Sequence, residues 1–347
     1  MQLPLAGQPL HTRSLLIELS NAPDGLRVWG QVLDLRKASF VPMVEELHTA
    51  GLIHDMSLDL GVDPATRAIR TLQVAQRRVA VEASAQTGGQ SCRDVQPRLQ
   101  ELVGCALDDG FPAVLQEVFG GPRGCSHLLT LLHLMASSLP RALDFEASQG
   151  SRRPGELIFR RSVFVDGHEP AEGRLHLSVQ LMDFHSAPLD SVEDRLGILA
   201  RQYETRVLAD VDLSNLEVLD LAAIERDRSA ATLGQATWRN EAEKVSGLVG
   251  RPVMPGFGKE VRRQLGAEPA NRQLVDALAQ VAPGFVQCTP ALADRMIQQI
   301  ALGRGEGSAA KGGSMLLEFM TRGGGKNACY MWREDSPLLT ARPIPRD

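Results

Sequence analysis

The sequence predicts an α+β fold made of two tandem copies of one unit, each an antiparallel β-meander followed by helices, with the copies related by a pseudo-two-fold axis. Three observations carry that expectation. Short β-prone runs with turn signals open each half, the hydrophobic period then changes to a helical one, and the two halves align with each other over ungapped stretches. With 347 residues, 43% of them hydrophobic and 23% charged, the chain has the length of two ordinary domains and the balance of a globular protein.

In the first half the strand-like runs are Ser14 to Leu19, Leu26 to Leu35, Met56 to Val62 and Ala68 to Arg77. Between the first two stands Ala22-Pro23-Asp24-Gly25. Proline presets φ and glycine accepts a positive φ, so the flanking runs should pair as antiparallel neighbours. From Asp94 the period becomes helical. Val95, Leu99, Leu102 and Val103 share one face, Ala113 to Val118 form a second helix and Leu128 to Met135 a third. The glycine-rich turn Gly120 to Gly124 delivers Cys125 and His127 to the start of that third helix, with Ser126 as its expected N-cap.

The second half repeats the first. Cys92 through Phe111 lies without a gap over Trp238 through Phe257 at an offset of 146, and the same frame carries Gly120 onto Gly266 and Leu128 onto Leu274. Upstream, Asp34 falls on Asp183 and Val62-Asp63 on Val211-Asp212 at an offset of 149, while His11 to Ser14 falls on Phe159 to Ser162. The expected units are therefore residues 1–145, a linker at 146–155 rich in Ser, Gly and Arg, a divergent copy at 156–302, and a glycine-rich tail at 303–347. In that tail, Met315 to Met320 and Ala328 to Trp332 around Gly323-Gly324-Gly325 suggest a terminal hairpin or a glycine-hinged flap.

The copies differ in their chemistry. His54-Asp55 corresponds to Tyr203-Glu204, Cys92 to Trp238, Cys125 to Asn271 and His127 to Gln273, so the metal-capable side chains all belong to the first copy. Two site hypotheses follow. In one, His54 and Tyr203 face each other across a cavity between the copies and act in proton transfer, with Asp55 or Glu204 as an alternate base. In the other, Cys92, Cys125 and His127 hold zinc or iron.

The elements Gly51-Leu52-Ile53-His54-Asp55-Met56, Cys92, Leu102-Val103-Gly104 and Gly120 to Leu128 resemble, in order, the bacterial DUF2889 family, whose pattern has an HDM element, a downstream Cys, a Leu-x-Gly step and a GCTHL element. This chain has Ser126 where that pattern has Thr. The resemblance covers roughly the first 145 residues; the second half is linked to it only through the repeat. It implies an association with bacterial breakdown of aromatic compounds, including lignin-derived ones.

Other classes fit poorly. The net charge of −5 has no basic stripe, which argues against a nucleic-acid or anionic-membrane partner. No apolar run approaches the roughly 18 residues that would span a bilayer, and five cysteines without a CxxC pair suit reduced thiols in a cytoplasmic protein. No GxGxxG or GxxxxGK[ST] element stands between a strand and a helix, so no nucleotide cofactor is expected. The resulting expectation is an enzyme acting on a small aromatic compound without an organic cofactor. Its reaction would be a proton-transfer lyase or isomerase step, such as a formaldehyde-releasing retro-aldol cleavage. The alternative is a non-catalytic metal- or ligand-binding protein using Cys92, Cys125 and His127. A homo-oligomer is compatible with either.

Overall fold

The computed structural model describes residues 7–43, 46–193, 195–292 and 326–340. The first two strands, β1 (Gln8–Ala22) and β2 (Gly25–Arg36), form the expected hairpin, with Ala22 opposite Gly25 across the Pro23-Asp24 turn. A small ribbon of β3 (Val41–Met43) and β4 (Glu46–His48) leads into β5 (Gly51–Val62) and β6 (Ile69–Arg78). The second half supplies β7 (Leu157–Glu169), β8 (Arg174–Ser186), β9 (Leu199–Asp212), β10 (Val218–Arg228) and the short β11 (Arg239–Asn240). Apart from the ribbon, all strands belong to one antiparallel sheet of order β11-β10-β9-β8-β7-β1-β2-β5-β6.

Strict alternation puts Leu15, Ile17, Leu19, Val28, Val32, Val163, Val165, Leu177 and Val179 on one face, and the helices cover that face. In the first half these are α1 (Phe111–Phe119) and the long α2 (Ser126–Glu146), which buries Leu128, Leu131, Leu132, Met135 and Leu139. The second half has α3 (Ala242–Val245), α4 (Phe257–Leu265), α5 (Arg272–Leu278) and α6 (Val281–Cys288). The segment around Leu99 is a 3-10 helix, Gln96–Leu102, in place of a regular α-helix. The other sheet face carries cross-strand ion pairs, including Arg27 with Asp59 and Arg160 with Glu18.

Two expectations change. In place of two units facing each other across a cavity, β1 pairs along its length with β7, so the halves join edge to edge in one continuous sheet. The linker is also tied down. Arg152 donates to the Leu157 carbonyl at 3.0 Å and the Ser186 carbonyl at 2.6 Å, and forms an ion pair with Glu146. In the tail, Met315 to Met320 lies outside the described residues, and Ala328 to Trp332 is a turn followed by a 3-10 turn, not a strand.

Helix α6 approaches β7 closely because Gly167 has no side chain: a Cβ there would stand 2.0 Å from Cys288 Sγ. Overpacking of this kind costs about 1–3 kcal/mol. Gly167→Ala should therefore lower the unfolding free energy by about that amount in urea titration, whereas Gly234→Ala, at a position with no atom within 4 Å and no positive φ, should leave it nearly unchanged.

Candidate functional site

A buried ion pair sits where the first hairpin meets the helices. The β1–β2 register sets Arg13 opposite Asp34. The guanidinium grips the carboxylate with both arms, Nε to Oδ1 at 2.8 Å and Nη2 to Oδ2 at 3.0 Å, and both side chains are essentially inaccessible to water. Burial alone would push the Asp34 carboxyl up. The Arg13 charge and hydrogen bonds from His127 and His54 hold it well below the usual carboxylate range, so it is ionised.

Three histidines surround this carboxylate. His54 is the direct cross-strand partner of Asp34, and its Nδ1 lies 3.1 Å from Oδ2. The register slips beside it, with Leu35 pairing to Leu52, so Ile53 is the extra residue of a bulge that both turns inward and re-aims His54. His127 arrives from the first turn of α2, its Nε2 3.3 Å from Oδ2 of Asp34, and its ring centroid is 3.9 Å from that of His54. His11, two residues before Arg13 on the same strand face, has Nε2 3.4 Å from Oδ1.

An ionised carboxylate only accepts hydrogen bonds, so His54 must carry its proton on Nδ1. In the neutral form of the ring, Nε2 then keeps a lone pair. Burial, only partly opposed by Asp34, pushes His127 down to about 3, and burial pushes His11 down to about 4 against the attraction of Asp34. Both are neutral near pH 7.

The glycine turn serves to place His127. A Cβ at Gly124 would stand 2.0 Å from the Phe119 carbonyl, so only glycine lets the chain double back there and enter α2. Cys125, not Ser126, occupies the N-cap, and it makes no side-chain cap bond. The tail segment holds this turn, with the Tyr330 amide donating to the Gly124 carbonyl at 2.8 Å.

The expected site residues are thus partly gathered. His54 and His127 meet, but around Asp34. Cys125 Sγ lies 3.7 Å from His127 Nδ1 and 3.9 Å from Met56 Sδ, and burial pushes its thiol up to about 12; the Cys92 thiol is pushed up further by burial. Cys92 does not join a ligand set. Among the described residues, the side chains of this kind whose ligand atoms come within 4.8 Å of one another are Asp34, His54 and His127. Asp55 points to the opposite sheet face, where it accepts from Gln31 Nε2 at 2.8 Å and neighbours Arg77.

Tyr203 does not face His54. It lies on β9, five strand steps from β5, which is roughly 24 Å at the usual strand spacing. Its ring is sandwiched by Arg141 and Arg201, at 4.2 and 4.3 Å from their guanidinium carbons. Glu204 pairs with Arg226 and, at 3.5 Å, Arg228.

A second buried pair, Arg161 with Asp183, stands on β7 and β8, at 2.6 and 2.7 Å. Its surroundings are different: Gln273 donates to Asp183 at 2.6 Å, and Asp276 and Ser137 complete the shell at 2.6 and 3.1 Å from the guanidinium.

The chain is therefore an antiparallel α+β protein with a buried arginine–aspartate–histidine site in its first half. Residues 11–139 match the model of the family described as "Protein of unknown function (DUF2889)". This stretch contains every residue of the site. No curated protein and no solved structure matches the chain. Among the described residues no helix is long and apolar enough to cross a membrane.

His11, His127 and His185 are each held below the unfolded value of 6.5 by burial, to about 4, 3 and 4. Below pH 6.5 the unfolded chain binds protons at these rings that the folded chain refuses. Stability should therefore fall as pH drops from 6.5 towards 4, by up to about 1.4 kcal/mol per pH unit for each ring. Urea midpoints measured from pH 7 to 4 check this; a flat profile would contradict the buried neutral assignment.

Proposed function

We propose that the first half is the catalytic half of an enzyme that moves a proton on a small aromatic substrate without an organic cofactor. His54 is the base and Asp34 the group that orients it. The observation that carries the proposal is the gathering of His11, His54 and His127 around one buried carboxylate.

We also infer that the chain is a divergent tandem duplication, with a pseudo-two-fold axis passing between β1 and β7. Support comes from the register of those strands, in which Arg13 faces Val165 and Ile17 faces Arg161; exchange of the halves at an offset of 148 (Arg13 to Arg161) maps this pairing onto itself. Arg67 and Leu216, 149 apart, both take a positive φ that non-glycine residues rarely adopt. Isolated bridges at Ala68–Ala106 and Glu217–Pro252 also correspond. On this correspondence the Arg–Asp pair is common scaffold, while His11, His54 and His127 stand where the second half has Phe159, Tyr203 and Gln273. Scaffolding accounts for the ion pair and not for three imidazoles.

The aromatic substrate class follows the family resemblance. In a retro-aldol cleavage, His54 Nε2 would take the proton of a primary hydroxyl. The C–C bond would break as the C=O bond of formaldehyde forms, leaving its electron pair on the carbon beside the aromatic ring, which delocalises it. The proton would then return from His54 to carbon. The imidazolium formed on the way is stabilised by Asp34, the arrangement that makes a carboxylate–histidine pair an effective base.

A second reading rests on a specific observation: two histidines and one carboxylate can offer ligand atoms within 4.8 Å of one another, a donor set suited to zinc or iron. Charge counting favours the first. Arg13 already neutralises Asp34, so a dication would leave a net charge of about +2 in a buried site, at several kcal/mol per unpaired buried ion.

The test is incubation of the purified chain with phenolic monomers and dimers, trapping released formaldehyde. His54→Ala should lose about 10²–10⁴ of the turnover, recover part of it with added imidazole, and remain folded, at a cost of about 1–3 kcal/mol for the hydrogen bond lost by Asp34. Metal analysis of the same preparation should find well under one equivalent, with thermal unfolding unmoved by chelator. One tightly held equivalent that His54→Ala releases would establish the metal reading instead.

A further inference from the structure

His11 is the one member of the histidine trio whose presence the fold leaves unexplained. It lies on the inward face of β1 at 2% exposure, and its Nε2 is buried with no hydrogen-bond partner among the described residues. Asp34 Oδ1 is 3.4 Å away and is already engaged by Arg13 Nε at 2.8 Å. Leaving a buried nitrogen unpaired costs about 1–3 kcal/mol. Burial also keeps the ring neutral, so a full ion pair with Asp34 does not offset that cost.

The corresponding position of the other central strand shows that the nitrogen is not needed for packing. Phe159 fills it at 2% exposure, with its ring 5.0 Å from that of His185. An aromatic ring without polar atoms thus suits this place in the sheet. A histidine there gives up stability for a nitrogen aimed at the carboxylate and imidazoles of the site, which implies a partner that is not part of the protein.

We propose that His11 is a second catalytic residue, whose Nε2–H donates to the hydroxyl oxygen of the substrate while His54 removes that oxygen's proton. This rests on the reading of the cluster as the reacting centre. A neutral imidazole is a suitable donor to an oxygen that gains negative charge as its proton leaves, because it stabilises the alkoxide without protonating it outright. His11 makes no bond to the substrate and ends the step in the state in which it began. The ligand class is a compound with a free hydroxyl, presented in a dry site.

The experiment is His11→Phe in the full chain, copying position 159, alongside His11→Gln, which keeps an N–H donor. His11→Phe should unfold at or above the wild-type temperature and lose about 10²–10³ in kcat with little change in KM, as when a transition-state donor is removed; His11→Gln should recover part of that loss. A fall of many degrees in unfolding temperature for His11→Phe would make His11 structural and overturn the proposal, as would undiminished kcat in a folded variant. The reading beneath it is judged separately, by whether the wild type turns over any phenolic compound. Independently of turnover, adding 4-(hydroxymethyl)phenol to 15N-histidine-labelled wild type should shift the His11 Nε2 resonance, and an unmoved resonance under saturating probe would also overturn the proposal.

Discussion

The site depends on a single carboxylate kept ionised inside the protein. Asp34 is fully buried, and an isolated charge there would be prohibitive; it is tolerated because Arg13 grips both oxygens and two imidazoles approach Oδ2. Each partner comes from a different element. Arg13 comes from the first strand, His54 from the third long strand through a bulge, and His127 from the helix that the glycine turn launches. The pair therefore sets the orientation of the site as well as its charge. It decides which nitrogen of His54 is protonated, and so which one is free to act.

The second half makes the same kind of pair with a different outcome. Arg161 and Asp183 are enclosed by Gln273, Asp276 and Ser137, groups that satisfy the charges with hydrogen bonds. Burial pushes Asp276 up, against the pull of Arg161, which softens the excess negative charge of two carboxylates around one guanidinium. The contrast separates what holds the sheet and helices together from what the first half adds to them.

Much of this was legible in the sequence, some of it beyond what the motif alone suggested. The Pro23-Asp24 turn and the alternation of Leu15, Ile17 and Leu19 against Leu26, Val28 and Val32 define the hairpin, and extending both alternations puts His11, Arg13 and Asp34 on the buried face. Counting back from the turn even sets Arg13 opposite Asp34. The HDM element sets Asp55 beside His54 in the sequence, whereas Asp34 is its neighbour across the strands. What could not be read was how the halves meet. Alternation marks the face of a strand and says nothing about which edge finds a partner, so edge-to-edge joining of β1 and β7 was indistinguishable from two units facing across a cavity. The wide separation of His54 and Tyr203 follows from that pairing.

The account stands on the protonation of one ring. Long-range 15N–1H correlation spectra of histidine-labelled protein at pH 7 report directly which nitrogen of His54 bears the proton. The account predicts a neutral ring protonated at Nδ1, with the Nε2 shift of a free lone pair. A ring protonated at Nε2, with Nδ1 either free or bound to a metal, would contradict it.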